Sequence, residues 1–293
     1  MAVSGPDSEL AGTGGTSAPT LRCHILDTGY TVALEKALMR GGELRKIKCH
    51  SIVALLCHPE HGWLLFDAGY ASRLLRATRR LPFSIYGLVT PLHLQPELAV
   101  AAQLHHFGLK PVGIKTVILS HFHADHVAGL RDFPRARFVA LSSAYDDVKQ
   151  RRGVNALRRA FVPSLMPPDF VQRATLLHAF DGPPLPGLGP THDLFGDGSI
   201  VLVELPGHAH GQIGALVNTE GGRVLLAADG CWMLKQVRLR RPPSRITNVI
   251  ADDPTAVRAT IDGLHTFMEA CPDVRVVPSH CPEAFAREVG GPA

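Results

Sequence analysis

The sequence predicts a single α/β domain, and three observations support this prediction. Predicted helices begin at Pro96 and at Pro254 and separate strand-like regions of the chain. With 293 residues, 45% of them hydrophobic, the chain is long and apolar enough to bury one large core. Short apolar segments typical of strands recur at residues 21–26, 51–57, 62–66, 116–119, 199–205, 223–228 and 274–279.

The N-terminal region divides into a tail, a hairpin and an irregular segment. Residues 1–20 are rich in Gly, Ser, Thr and Ala and lack the basic and apolar regions of a signal peptide, so we expect a disordered tail. Turn residues at 59–62 join two strands as a hairpin. Residues 71–94 are irregular, first Arg-rich and then apolar, which leaves open simple packing, a flap over a site, or a partner surface.

Two helices and an insertion are expected farther along. Pro96 at a helix start and Gly108 after its end predict an amphipathic helix over residues 96–107. Residues 142–180 read as an insertion with two helical pieces, inside a domain that spans residues 21–293. Asp253 is the expected N-cap of a longer helix, Pro254–Ala270.

Charge and cysteine content indicate which binding partners and which cellular compartment to expect. The formal charge is +4, and the Arg-rich stretches 76–80, 151–159 and 238–245 lack interleaved aromatic residues, so we expect solvated faces and no nucleic-acid partner. No window approaches the roughly 18 apolar residues of a spanning helix, which predicts no membrane association. Six cysteines without a C-x-x-C pair favour a reduced, cytoplasmic protein. A homodimer is left open.

Side chains that can bind metal are concentrated in the run Ser120-His121-Phe122-His123-Ala124-Asp125-His126, directly after an apolar strand-like segment. In an extended chain His121 and His123 point to the same side and can bind one ion. Asp125 and His126 then diverge from that pair and suit a second ion a few ångströms away. Gly129 is expected to give the following turn its conformational freedom.

Further donors stand at the ends of other predicted strands. His208 follows residues 199–205, Asp229 closes residues 223–228, and His280 closes residues 274–279. Loops from separate strands can converge on one point, so we expect these side chains to complete the ligand sets of the ions. Five imidazoles and two carboxylates without a thiolate favour Zn²⁺, with Fe, Mn and Co left open.

With these seven residues in this order, the chain resembles the metallo-β-lactamase superfold family, whose motif is H-x-H-x-D-H followed by three strand-end ligands. The resemblance implies an αββα sandwich, two mixed β-sheets flanked by helices. It also implies two divalent metal ions. Asp67, in Phe66-Asp67-Ala68-Gly69, matches the family's buried aspartate that orients the metal loop. By resemblance the first ion binds His121, His123 and His208, the second binds Asp125, His126 and His280, and Asp229 and a hydroxide bridge them.

Within the family, the motif Ser120 to Gly129 and the wide spacing from His126 to His208 look most like the quorum-quenching N-acyl-homoserine lactonases. That group carries a tyrosine three residues after the bridging aspartate, where this chain has Trp232. An indole donates one N–H but cannot shuttle a proton, so either Trp232 binds the substrate through its N–H or the substrate differs.

The resemblance implies opening of a lactone, or cleavage of a related ester, by a metal-bridging hydroxide that attacks the carbonyl. Asp125 is expected to pass a proton from the attacking water to the leaving group. A small-molecule acyl ester or lactone is the expected partner. Two alternatives share much of the motif: a thioesterase resembling glyoxalase II, and an oxidoreductase resembling the persulfide dioxygenases, which use one iron.

Overall fold

The fold consists of two mixed β-sheets with flanking helices, as seen in a computed structural model that describes residues 18–245, 247 and 251–290. Most of the predicted N-terminal tail, residues 1–17, lies outside the described residues. Among the described residues, every helix is too short or too polar to span a lipid bilayer.

The strands are β1 (Arg22–Leu34), β2 (Lys46–His58), β3 (Gly62–Phe66), β4 (Leu92–His93), β5 (Ile114–Ile118), β6 (Arg137–Leu141), β7 (Ala174–Leu177), β8 (Gly182–Leu185), β9 (Gly189–Asp193), β10 (Ile200–Glu204), β11 (Ile213–Thr219), β12 (Gly222–Ala228) and β13 (Arg275–Pro278). The helices are α1 (Glu35–Leu38), α2 (Arg73–Ala77), α3 (Ser84–Val89), α4 (Val100–Gln103), α5 (Ala124–Val127), α6 (Ser142–Val148), α7 (Gly153–Leu157), α8 (Phe170–Arg173), α9 (Leu234–Arg238), α10 (Pro254–Ala270) and α11 (Pro282–Glu288).

Seven strands form the first sheet in the order β4-β1-β2-β3-β5-β6-β7, and six form the second in the order β13-β12-β11-β10-β9-β8. Both sheets mix parallel and antiparallel pairs. In the first sheet, β3, β5, β6 and β7 run parallel to one another while β2 pairs antiparallel with β3, and in the second sheet β12 pairs in parallel with β13. One continuous hydrophobic core includes buried residues of both sheets. The predicted αββα sandwich is therefore confirmed.

Central strands are apolar along most of their length because they are covered on both faces. In β2, the residues from Cys49 to Leu56 are all buried, and in β3 the last three residues are buried as well. Such runs lack the alternation of a half-exposed strand. This is why the sequence predicted these two strands, and the hairpin between them, within a few residues.

Several elements differ from the prediction. The helix expected over residues 96–107 is broken into a 3-10 turn at Pro96–Leu98, α4, and a second 3-10 turn at Leu104–Phe107, and it ends at Gly108 in the left-handed conformation. Residues 142–180 carry α6, α7, α8 and also β7, which extends the first sheet beyond β6. The strands β4, β6, β8, β9 and β11 were not predicted either.

Helix α10 has the predicted bounds and the predicted cap. The carboxylate of Asp253 accepts hydrogen bonds from the backbone N–H groups of Thr255, at 2.8 Å, and Ala256, at 3.1 Å. These groups have no partner within the helix, so the cap stabilises its first turn. The backbone N–H of Asp253 also donates to the carbonyl of Gly207 at 2.9 Å, which ties the helix start to the loop that carries His208.

We expect Asp253→Ala to lower the free energy of unfolding by about 1 kcal/mol, because two N–H groups of α10 lose their acceptor. Asp253→Asn keeps an acceptor oxygen at the same place and should retain most of the stability. Urea denaturation of the three proteins measures both effects. Equal stability of Asp253→Ala and Asp253→Asn would show that the cap does not stabilise the protein.

Candidate metal centre

All seven predicted ligands lie at one end of the sandwich, in the segments that follow the strands. Asp229 directly follows β12, and His280 comes two residues after β13. His121 comes three residues after β5, and Asp125 and His126 lie in α5. The loop after β10 carries His208. The structure therefore brings together residues that are up to 159 positions apart in the sequence.

The buried carboxylate of Asp67 fixes the metal loop. Its Oδ1 accepts the backbone N–H of Ser120 at 2.8 Å, and its Oδ2 accepts the Ser120 hydroxyl and the Nδ1–H of His126, both at 2.7 Å. Asp67 itself has a φ of 64°, a left-handed conformation that costs energy for a residue with a side chain. By resemblance, the sequence predicts Asp67 to be the buried aspartate that orients the metal loop.

Glycine is required at position 129 for lack of space, and not for conformational freedom as the sequence predicts. Its φ is −79°, which any residue can adopt, so the turn does not require the conformational freedom of glycine. A Cβ at this position would lie 2.2 Å from the carbonyl oxygen of Ala68. Glycine is therefore needed because the loop after α5 packs directly against the backbone that follows β3.

The donor atoms form two adjacent groups. In the first, Nδ1 of His123 lies 2.9 Å from Nε2 of His208, and the His121 ring lies 4.4 Å, centroid to centroid, from that of His123. In the second, Oδ2 of Asp125 lies 3.2 Å from Nε2 of His280 and 3.6 Å from Nε2 of His126. The donor atoms within each group lie within 4.8 Å of one another.

Asp229 stands between the two groups. Its Oδ2 lies 3.1 Å from Nε2 of His208 and 3.2 Å from Nε2 of His280, while its Oδ1 lies 3.3 Å from Nε2 of His126. Both oxygens of Asp229 thus face predicted ligands, and this one carboxylate contacts histidines of both donor groups. This is the arrangement expected of a bridging ligand.

Hydrogen bonds set the tautomers of three histidines. The Nδ1–H of His126 donates to Asp67, and that of His280 donates to the carbonyl of His50. The Ser120 hydroxyl donates to Asp67, so it accepts from Nδ1–H of His121, at 2.9 Å. In the neutral form each ring therefore turns an Nε2 lone pair toward the cluster, as metal-binding histidines do.

Charge also favours cations at this point. Burial lowers the pKa of His121 well below its usual range and that of His123 to about 3, so both imidazoles are neutral. Burial would raise the pKa values of the Asp125 and Asp229 carboxyls, but the surrounding imidazoles hold both below their usual range. Among the described residues, the ion pairs of both carboxylates are formed by histidines and not by Lys or Arg, and a divalent cation at this point would balance the buried negative charge.

The cluster fits divalent metal ions. Nε2 of His121, Nε2 of His126 and Oδ1 of Asp229 are buried and have no hydrogen-bond partner within the part of the chain that the structure describes. A buried polar atom without a partner costs about 1–3 kcal/mol, and a bound ion removes that cost. Imidazole nitrogens and carboxylate oxygens are the ligands of borderline ions such as Zn²⁺.

Trp232, which the sequence predicts to bind substrate, lies beside Asp229. Its indole N–H donates to Oδ2 of Asp229 at 3.0 Å, and its ring stands edge-on to that of His208 at 5.5 Å between centroids. Gln236 holds this turn and was not predicted: its Oε1 accepts the backbone N–H groups of Trp232 and Met233. The sequence gives one weak signal for Gln236, its spacing of four residues from Trp232.

Other histidines lie outside the cluster. His178 is exposed and bonds Ser142, and His210 bonds Asp252. His58, His61 and Asp197 form a further group of potential ligands. However, Nδ1 of His58 accepts backbone N–H groups of its own turn, and its Nε2 lies 2.9 Å from Asp197. Both ring nitrogens of His58 are thus used in joining two loops.

The irregular segment after β3 lies close to the metal loop. Arg73 in α2 donates to the carbonyl of Ala128 at 2.7 Å, which anchors the segment to the end of α5. Tyr86 in α3 is buried, whereas Leu81, Leu88 and Val89 are more than 70% exposed. Burial raises the pKa of Tyr86 well above its usual value, with Asp125 and Asp229 adding to the effect, so its hydroxyl is neutral.

Comparisons with known proteins agree with the fold and the motif. The family model described as the Metallo-beta-lactamase superfamily matches residues 47–280. The chain is 26% identical to the N-acyl homoserine lactonase AttM of Agrobacterium fabrum over 239 residues, which cover 79% of this chain and 82% of AttM. It is 28% identical to the metallo-hydrolase mfmC of Annulohypoxylon moriforme over 270 residues, covering 87% and 66% of the two chains.

Solved structures share the fold at low sequence identity. A variant of AiiA from B. thuringiensis, with N-decanoyl-L-homoserine at its active site, superposes with a TM-score of 0.69 at 16% identity, covering 92% of this chain and 95% of AiiA. AidC, a dizinc quorum-quenching lactonase, superposes with a TM-score of 0.61 at 15% identity, covering 91% and 90%.

The family match spans most of the chain, and the sandwich and the order of the seven motif residues agree with it. The chain therefore belongs to the metallo-beta-lactamase superfamily and, as the sequence predicts, is a metal-dependent hydrolase of that family.

Proposed function

We propose that this protein is a dinuclear lactone hydrolase that opens N-acyl homoserine lactones or closely related esters. The observation that carries the proposal is the convergence of buried, unpartnered donor atoms around the carboxylate of Asp229. The relatives named as N-acyl homoserine lactonases support the choice of substrate class.

The proposed ligand sets follow the two groups of donors. His121, His123 and His208 would hold one ion, and Asp125, His126 and His280 the other, with Asp229 shared between them. Nδ1 of His123 and Nε2 of His208 are 2.9 Å apart, close to the roughly 3.3 Å expected for two nitrogens bound tetrahedrally to one zinc ion. We propose zinc as the metal, because imidazole nitrogens and carboxylate oxygens are among its usual ligands in proteins.

When bound, two divalent ions would lower the pKa of a water molecule toward neutrality and polarise the carbonyl of the substrate. The chain's own residues would supply orientation and proton transfer. Oδ2 of Asp125 faces His280 and His126, which leaves Oδ1 to take up the proton of the attacking water. The same oxygen would return that proton to the departing alkoxide, so that a hydroxy acid leaves the site.

An apolar acyl group on the substrate would suit the exposed apolar side chains of residues 71–94. Leu81, Leu88 and Val89 are exposed on the segment that Arg73 anchors to the metal loop. An acyl chain that covered these side chains would remove apolar surface from water, at about 25 cal/mol per Å². We therefore expect lactones with an acyl chain to be better substrates than bare lactones.

A substrate panel tests the proposed activity. We expect zinc-reconstituted protein to hydrolyse N-acyl homoserine lactones of several chain lengths with a higher kcat/KM than simple γ- and δ-lactones, aryl esters or thioesters. Turnover of thioesters alone would reject the lactonase proposal in favour of a thioesterase. One bound iron, with oxygen uptake on glutathione persulfide, would reject it in favour of a dioxygenase.

Substitution of a ligand tests the proposed site, with another histidine as a control. We expect His123→Ala to lower the bound metal and to reduce lactone hydrolysis at least about 100-fold, because even the outer partners of ligands contribute 10–100-fold. His178→Ala removes an exposed imidazole and should change neither quantity. Metal content by elemental analysis and initial rates measure both variants. Wild-type metal content in His123→Ala would exclude this residue as a ligand.

A further inference from the structure

We propose that Trp232 is a positioning residue, whose indole N–H holds the carboxylate of Asp229 in the orientation that serves both metal ions. This inference rests on the proposed dinuclear site. In this role Trp232 orients a predicted metal ligand, whereas the sequence predicts that it contacts the substrate.

The contact is specific to one oxygen of Asp229. Nε1 of Trp232 donates to Oδ2 at 3.0 Å, and the same oxygen faces His208 and His280. Oδ1 is left buried, 3.3 Å from Nε2 of His126, without a hydrogen-bond partner in the described part of the chain. The N–H thus occupies one side of Oδ2 and fixes the rotation of the carboxylate, so that Oδ2 faces His208 and His280 while Oδ1 faces His126.

An indole has one donor and no acceptor, so this N–H cannot serve Asp229 and a substrate carbonyl with full strength at the same time. A hydrogen bond to a charged acceptor is also stronger than one to a neutral carbonyl. Release of Asp229 would leave a buried carboxylate with one donor fewer, which is costly. The contact to Asp229 is therefore the favoured use of the Trp232 donor.

The backbone around Trp232 is itself held in place. The side chain of Gln236 is fully buried, and its Oε1 accepts the backbone N–H groups of Trp232, at 2.8 Å, and Met233, at 3.0 Å. Its amide nitrogen donates to the carbonyl of Leu38 at 2.8 Å. A chain of hydrogen bonds thus runs from α1 through the start of α9 to Asp229. This network holds Trp232 in one position, which is suited to orienting Asp229 and not to a side chain that changes conformation when substrate binds.

Zinc affinity in the absence of substrate separates the two roles. Trp232→Phe keeps an aromatic ring next to His208 and removes the N–H, so we expect zinc affinity to fall at least about tenfold. The chain has one other tryptophan, Trp63, which lies in β3 and packs against Arg22 and His24. Trp63→Phe is the matched control and should keep wild-type affinity. Competition with a chelator gives the affinities, and circular dichroism compares the metal-free proteins.

A second measurement needs no substitution at position 232. In the Trp63→Phe protein Trp232 is the only tryptophan, so the tryptophan emission reports on its indole alone. We expect added zinc to change this emission and to saturate at the stoichiometry found by elemental analysis. The emission of Trp232→Phe, which comes from Trp63, should stay constant.

The outcomes separate this inference from the proposed function. Equal zinc affinity of Trp232→Phe and wild type would overturn the positioning role. An unchanged tryptophan emission of the Trp63→Phe protein on zinc binding would overturn it as well. A rise in KM for lactones with zinc affinity unchanged would assign Trp232 to substrate binding and also overturn it. A wild-type protein that binds no zinc would instead overturn the metal site, and Trp63→Phe would then show the same result.

Discussion

Buried negative charge is the constraint on which the site depends. Asp67, Asp125 and Asp229 are each less than 10% exposed, and in the described part of the chain their ion-pair partners are histidines alone. An unbalanced carboxylate in a protein interior costs several kcal/mol. The carboxylates raise the pKa values of His126 and His280 well above the usual value, against the effect of burial, which shows how strongly this point attracts positive charge.

The fold places these charges by ending strands at a common edge. Strands β3 and β5 run parallel in one sheet, and β12 and β13 run parallel in the other, so the carboxyl ends within each pair lie side by side. The backbone adopts left-handed conformations at Asp67 and at Ala228, next to Asp229. Strain of this kind persists where the surroundings fix it, and here hydrogen bonds to Ser120 and His126 fix Asp67.

Much of this was predictable from the sequence, for definite reasons. Metal sites need particular side chains at particular spacings, so His121, His123, Asp125 and His126 are recognisable as candidate ligands, and the later candidates follow apolar strands. Strands covered on both faces, such as β2, are visible as continuous apolar runs. Helix α10 is visible through its cap and its period.

The elements that escaped prediction depend on tertiary contacts. The short strands β8 and β9 contain proline and glycine and are stabilised by pairing, not by local preference. The Pro96 helix breaks into three short turns despite its start and stop signals. The need for glycine at position 129 comes from the carbonyl of Ala68, and the role of Gln236 comes from the carbonyl of Leu38. No local pattern encodes either contact.

Diffraction at the zinc absorption edge from crystals grown with zinc would locate the bound metal ions. We expect two anomalous peaks on either side of Asp229, one among His121, His123 and His208 and one among Asp125, His126 and His280. A map without a peak in this cluster, or a single peak with the remaining donors hydrogen-bonded to one another, would contradict the proposed dinuclear site.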